Sequence, residues 1–413
     1  MLARCIVKRT TAAHLFAAVT VLISTTAANA DTFSRGSVSI ESRGYQPDDA
    51  DDTEDFGVAL VTRLEIKYRP GALNLVLRGL ARFDAVDSTR NVAALEDAYV
   101  GYEAGPLSLR VGSQILNWTT TEAFHPADII NSRNFDSDLE SLEKFGEPMV
   151  ELRLRILQGG LSLYYMPMRI EPKLLPAESR LSFVPSGVEL GDAIWLDRNG
   201  SKSEDLFEHQ GAVQLNQTIG PADIALHVVD HSDRQQPAFT IDPSSGELRP
   251  VYFSVTQFGL TYVHVLGSLL LKLEGAHRRM REPDPVEAPD VVAYPDHQQV
   301  AGGLEYNWTT PGGSDATFIA EGQAVIADRK FRQQLNLFQS DVFFGYRHAF
   351  SDEQGREILL GFIVDVEKPY EYLASVRYQQ RLSDTWSIAA VARRLRILDL
   401  LLSQAQFTLT RNF

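Results

Sequence analysis

Apolar and polar residues alternate with a period of two over segments of about ten to thirteen residues along most of the chain. From Val58 to Arg69, one face carries Val58, Leu60, Thr62, Leu64, Ile66 and Tyr68, and the other Ala59, Val61, Arg63, Glu65, Lys67 and Arg69. Val150, Leu152, Leu154 and Ile156 alternate with Glu151, Arg153 and Arg155. Ile358, Leu360, Phe362, Val364 and Val366 alternate with Glu357, Leu359, Gly361, Ile363, Asp365 and Glu367. A period of two is that of a strand, whose successive side chains point to opposite faces. Strands of soluble sandwiches are nearer five or six residues. Longer strands with one apolar and one charged face suit a tilted span across a bilayer.

The alternation marks eighteen strands, at 33–45, 57–69, 73–85, 93–104, 107–118, 147–157, 161–169, 209–219, 222–232, 250–264, 269–281, 297–308, 316–327, 339–350, 356–366, 370–382, 385–397 and 403–413. Pro70-Gly71-Ala72, Gly105-Pro106, Gln158-Gly159-Gly160, Gly220-Pro221, Leu266-Gly267-Ser268, 309–315, 351–355 and Ser383-Asp384 are short turns. Between them fall longer or more polar links near 46–56, 86–92, 119–146, 170–208, 233–249, 282–296, 328–338, 367–369 and 398–402. The expected fold is all-β: one transmembrane antiparallel up-and-down barrel of 16–18 strands, with short periplasmic turns and long outer loops. Tyr68, Tyr306, Trp308 and Trp386 fall at turn ends on apolar faces, where an interfacial girdle belongs.

The start of the chain departs from this pattern. Arg4, Lys8 and Arg9 precede an apolar stretch, 12–23, that closes on Ala28-Asn29-Ala30, the pattern of a secretory signal cleaved after Ala30. The expected organisation is a signal peptide, 1–30, and an outer-membrane barrel, 31–413. Of 413 residues, 44% are apolar, which argues against disorder, and 39 Lys plus Arg against 54 Asp plus Glu disfavour a nucleic-acid partner. Removing the three leader cations leaves 36 against 54, a formal charge of −18, and removes the single cysteine, Cys5. The chain then enters an oxidising compartment with no thiol. No later apolar run reaches eighteen residues; the richest, 263–273, is broken by His264, Gly267, Ser268 and Lys272, which excludes a helical span. No cofactor or metal is expected. The acidic tip 48–55 lacks the Gly and terminal Glu of an EF-hand loop, and His227 and His231 on one strand lie more than about 10 Å apart.

Function is sought inside the barrel, whose bore at this strand number is too wide for side chains alone to fill. Arg63, Lys67, Arg69, Arg78, Arg82, Arg110, Arg153 and Arg155 project inward from strands two, three, five and six, and Arg347, Arg377, Arg381 and Arg393 from strands fourteen, sixteen and seventeen. Closure brings the two groups together as a basic arc. Glu65, Asp84, Glu151, Glu274, Glu305, Glu321, Asp365, Glu367 and Glu371 face it. Such a lumen favours diffusion of small polar solutes, anions among them. The link 119–146 carries too many apolar residues (Phe124, Ile129, Ile130, Phe135, Leu139, Leu142) for a solvated loop, and folding into the bore would bury them. Asp136 or Ser137 as N-cap and Gly146 as stop predict a short helix in its second half. Trp118, His125, Asp128, Arg133, Asp136 and Asp138 are the candidate constriction residues.

Two stretches carry family resemblances. The last strand places Phe407, Leu409 and Phe413 at alternate positions, with Arg411 interrupting, and resembles the C-terminal insertion signal of Gram-negative outer-membrane proteins. Gly112-x-Gln114, Asn117-Trp118, His125-Pro126-Ala127-Asp128 and Gly146-x-Pro148 resemble porin-like barrels related to alginate-export channels, except that His125 replaces an Asn and no Gly follows Trp118. The resemblance implies an outer-membrane location among lipid and lipopolysaccharide, insertion by the barrel-assembly machinery, and transport of an acidic or aromatic small molecule. Two other readings stay open: a component of a secretion or surface-assembly apparatus, and an outer-membrane enzyme. For the enzyme, His125 with Asp128, or His297 with a loop acid, are the candidates, without a nucleophile partner.

Overall fold

The alternation of the sequence becomes alternation of burial. Along 390–397, Val391, Arg393, Leu395 and Ile397 are buried and Ala390, Ala392, Arg394 and Arg396 exposed. In the computed structural model, which describes residues 31–413 apart from 47–52, 139, 183, 185–186, 236, 336–338 and 398–399, such segments form a single eighteen-stranded antiparallel sheet. The expected leader and its cleavage site lie outside the described residues. The strands are β1 (Asp31–Tyr45), β2 (Phe56–Arg69), β3 (Leu73–Asp84), β4 (Val92–Ala104), β5 (Leu107–Gln114), β6 (Glu147–Ile156), β7 (Gly159–Met168), β8 (Phe207–Ile219) and β9 (Ala222–Ser232). They continue as β10 (Ser254–Leu266), β11 (Leu269–Met280), β12 (His297–Thr309), β13 (Asp315–Ile326), β14 (Ser340–Ala349), β15 (Glu357–Asp365), β16 (Tyr372–Arg381), β17 (Trp386–Ile397) and β18 (Leu400–Asn412).

Each strand pairs with its neighbours in sequence, and β18 pairs with β1, Leu409 opposite Ile40 and Gln404 opposite Tyr45, so the sheet closes into an up-and-down barrel. Phe407 and Phe413 are exposed, and the outward Arg411 lies 5.9 Å from the Trp386 ring rather than in open apolar surface. Gly105 and Gly220 turn at φ near +60° in two-residue links, a conformation for which Gly carries no penalty.

At the other end the long links fold inward and join. Ile194–Leu196, Lys202–Ser203, Leu248–Tyr252 and Ala238–Ile241 form a four-stranded sheet that welds two links, with Trp195 stacked on Tyr252 at 4.3 Å. Leu196 of this sheet joins Ile129, Ile130, Met166, Val229 and Val255 in one buried cluster inside the wall. The expected strand 250–264 is therefore divided, its first residues belonging to the small sheet. Part of the bore is thus filled by chain.

The expected helix after Asp136 does not form. Arg133–Asn134 pairs with Glu143–Lys144 as a short hairpin. Asn134 Oδ1 accepts the Asp136 N–H, Ser137 Oγ accepts the Glu143 N–H, and Asp138 Oδ1 accepts the Glu140 and Ser141 N–H groups. Side chains that would cap a helix here satisfy turn backbone instead. Leu139 lies outside the described residues. Strand β5 also stops early, at Gln114, so Asn117 and Trp118 belong to the inward segment.

Gly112 sits at φ +136°, and a Cβ there would lie 2.1 Å from the Ala98 carbonyl oxygen. Gly112→Ala is expected to cost about 2 kcal/mol or more through strain and displacement of β4, read as a lower midpoint for conversion of the folded to the unfolded gel band on heating.

Candidate functional site

The inward segment begins at a bulge. Arg78 stands opposite Asp97 and Gly79 opposite Leu95, leaving Glu96 as the extra residue, and Arg78 binds both acids, at 3.1 Å and 2.8 Å. Asp97 Oδ1 accepts the Ile115 N–H at 3.0 Å where the chain leaves the wall, and Gly146 N–H donates to the Leu95 carbonyl at 2.9 Å where it returns.

Between these points the segment crosses the bore. Glu274 on β11 accepts the N–H groups of Thr120, Thr121 and Ala127 and the Thr121 hydroxyl; Glu321 on β13 accepts those of Glu122 and Ala123. Lys272 binds Glu122 at 2.9 Å and Glu305 at 2.8 Å. The returning limb reaches the opposite wall. Asp138 binds Arg393 at 2.7 Å with Arg377 at 3.8 Å, Glu140 binds Arg393 at 2.7 Å, and Glu143 binds Arg82 at 2.7 Å and Arg63 at 3.1 Å. Arg82, Arg393, Glu274 and Glu321, expected to line open lumen, are instead buried latches of the segment.

The remaining wall charges are arranged unequally. The Arg63 side chain keeps 46% of its surface, its partner Glu96 13%; Arg110 keeps 33%, Glu151 6%; Arg35 and Lys67 keep 66% and 36% around Glu65 at 7%. In each pair the cation keeps far more of its surface than the carboxylate, although Arg63 is also bound by Glu143 of the segment. Arg347 and Arg381 are exposed as well. At the turn end a cavity of about 460 Å³ is lined by Arg110, Arg153, Arg155, Ser108, Asn216 and Glu103, among others. Arg153 and Arg155 have no carboxylate within ion-pair distance among the described residues.

The expected constriction residues part company. Asp138 meets Arg377 and Arg393 at the wall, whereas Asp128 and Asp136 are almost wholly buried within loop packing. Asp128 binds Lys144 at 2.5 Å and Arg133 at 3.1 Å; Asp136 accepts from Thr89 and Ser179 at 3.1 Å each. Burial pushes the Asp136 carboxyl up, while Asp138, despite the opposing effect of burial, is held low by Arg393. Trp118 packs 4.7 Å from His227 and 5.6 Å from Tyr164.

Burial, reinforced by Arg133, lowers the His125 pKa to about 4. A histidine depressed in the folded state takes up its proton preferentially on unfolding, so stability present above about pH 6.5 drains away as pH falls towards 4. His125→Gln is expected to flatten the loss of melting temperature between pH 7 and pH 5.

Several charged residues around the inward links were not among the sequence candidates. Arg35 and Arg43 lie on β1; Arg43 and Arg90 are buried around Glu41, and Arg90 also binds Asp84 at 2.6 Å. Arg234, from a link, binds Glu147 at 2.7 Å, and Arg278 meets Asp233 at 3.4 Å, all four side chains buried. Two signals were available: the odd positions of 33–45 put Arg35, Glu41 and Arg43 on one face, and consecutive Glu96-Asp97 on an otherwise alternating strand is the mark of a bulge. Among the described residues no group of three or more His, Cys, Asp or Glu side chains is disposed to hold a metal.

A closed eighteen-strand up-and-down barrel with a segment folded across its bore has the porin-type fold. The chain is similar to structures of three Pseudomonas aeruginosa outer-membrane porins. OccK11 (OpdR) is 13% identical with a TM-score of 0.55, covering 93% of this chain and 96% of that one. OccK5 (OpdH) is 12% identical with a TM-score of 0.55, and OccK2 (OpdF) 9% with 0.58, each covering 93% of this chain and 98% of the other. At such identities the likeness establishes the fold. No protein-family model and no curated protein sequence matches the chain.

Proposed function

We propose that this barrel is a diffusion channel of the Gram-negative outer membrane, passing small polar solutes with a preference for anions through a lumen narrowed by the segment 115–146. The exposed apolar outward faces and the fold shared with outer-membrane porins support the location. The preference rests on one observation: the Arg110 and Arg35 guanidinium groups keep far more of their surface than the Glu151 and Glu65 carboxylates paired with them. Ion pairs this exposed contribute little to stability, so a passing carboxylate or phosphate can share their cations at small cost.

Planar-bilayer recording of the purified chain tests this. Stepwise conductance is expected, with a reversal potential in a KCl gradient that favours chloride and shifts towards potassium in Arg110→Glu/Arg153→Glu. Absence of steps, or potassium preference in the wild type, sinks the reading.

A further inference from the structure

The outward face of the barrel is not uniform. Where β16, β17, β18, β1 and β2 adjoin, successive registers place Ala390 beside Phe407 and Ser42, and Ala392 beside Ala405 and Gly44. These small residues form the floor of an apolar groove of about 480 Å³, walled by Phe56, Val376, Tyr378 and Phe407. A Cβ added at Gly44 would meet nothing within 4 Å, so the floor lies open.

The groove ends at two cations. Arg394 follows Ala392 on the same face, between Ala374 and Ser403, and Arg396 follows between Tyr372 and Leu401. Both are exposed. Arg394 Nε donates to the Tyr372 hydroxyl at 3.2 Å, and Arg396 lies 5.7 Å from the Tyr370 ring. Neither has a carboxylate within ion-pair distance among the described residues; Asp399 lies outside them. Arg198 and Arg281, also at this end, are by contrast paired with Asp230.

Height decides what these cations meet. Trp386 marks the turn end of β17, and Arg394 and Arg396 come eight and ten residues later. At a rise of ~3.3 Å and a tilt of ~40°, they stand about 20 and 25 Å above it, at the far edge of an apolar band ~25 Å tall. Anionic headgroups lie at that level and hydrocarbon below it, on the groove.

We propose that this groove is a binding site for a phosphorylated, multiply acylated glycolipid of the lipid A type, an acyl chain lying over Ala392 and Ala405 and a phosphate held by Arg394 and Arg396. The inference rests on the outer-membrane placement proposed above. Arg is suited to the phosphate because its planar fork donates two parallel hydrogen bonds, and the flanking tyrosines fix the guanidinium groups at the interface.

The test is thermal unfolding of the full purified chain in neutral detergent with bisphosphorylated lipid A, dephosphorylated lipid A or phosphatidylglycerol. The expected result is a rise of several degrees with bisphosphorylated lipid A and a smaller one with the other two lipids. Arg394→Gln/Arg396→Gln should abolish the phosphate-dependent part, and Ala392→Phe should weaken both lipid A forms. A full shift retained in Arg394→Gln/Arg396→Gln overturns the proposal, as does an equal shift with phosphatidylglycerol. So does a lipid-free wild-type oligomer that Ala392→Phe converts to monomer, because the groove is then an interface between copies. These positions lie outside the bore, so Arg394→Gln/Arg396→Gln should keep wild-type conductance. A wild type that binds lipid A as described but gives no conductance steps overturns the channel reading alone.

Discussion

Excising 124–145 and closing the gap with a short Gly-Ser link is expected to raise single-channel conductance at least about twofold, because removing the segment widens the path and replaces a filled sector by water. Its two limbs are held by different walls, Glu274 and Glu321 on one side and Arg63, Arg82 and Arg393 on the other. Excision therefore also changes selectivity. Arg82 and Arg393 lose Glu143, Asp138 and Glu140 and become free cations on the wall, so the chloride preference should increase with the conductance. Glu274→Ala is the milder form. It leaves three backbone N–H groups without their acceptor but keeps the second wall latched, and each unsatisfied donor costs about 1–3 kcal/mol when buried. Flickering between a narrow and a wider level is the expected record. Unchanged conductance in the deletion would show that the segment is not on the solute path.

How far these features can be read from the sequence depends on which interactions are local. Strand count, turn positions and closure follow from period-two alternation and glycine-bearing turns, both properties of neighbouring residues; Gly105-Pro106 and Gly220-Pro221 sit where the chain reverses. The inward direction of Arg63, Arg78 and Arg110 follows from the same parity. What alternation does not contain is the partner of each charge. Arg393 and Arg110 have the same pattern in sequence, yet one is locked under Asp138 and Glu140 and the other faces the cavity. The difference is made by a segment more than 240 residues away in the chain. The helix expected after Asp136 fails for a related reason: Asn134, Ser137 and Asp138 serve a local turn, and the hairpin that orders them is fixed by latches on distant strands.

Arg234→Met is expected to destabilise the barrel by about 3–5 kcal/mol, the cost of leaving a buried carboxylate without its cation. Arg234 comes from one inward link and binds Glu147 on β6 at 2.7 Å and the Gln210 amide oxygen on β8 at 2.9 Å. It also donates to Ser132 Oγ and the Ile170 carbonyl, each at 3.4 Å, on two other links. One side chain thus joins three links and two wall strands in a region closed to water. The Glu147 carboxylate, once its partner is gone, has no solvent to turn to, and its other oxygen already lacks a donor. Converting the pair together, Glu147→Leu/Arg234→Met, removes the unpaired charge with the cation and should recover most of the loss, since a buried ion pair often breaks even against apolar groups of similar volume. Denaturant unfolding in detergent measures these two variants and Glu147→Leu, and the difference between the double and the summed singles gives the coupling. A single variant as stable as the wild type, or a double no better than the single, would mean that the link packing above β6 and β8 is carried by the apolar cluster around Ile129 and Met166 rather than by this pair.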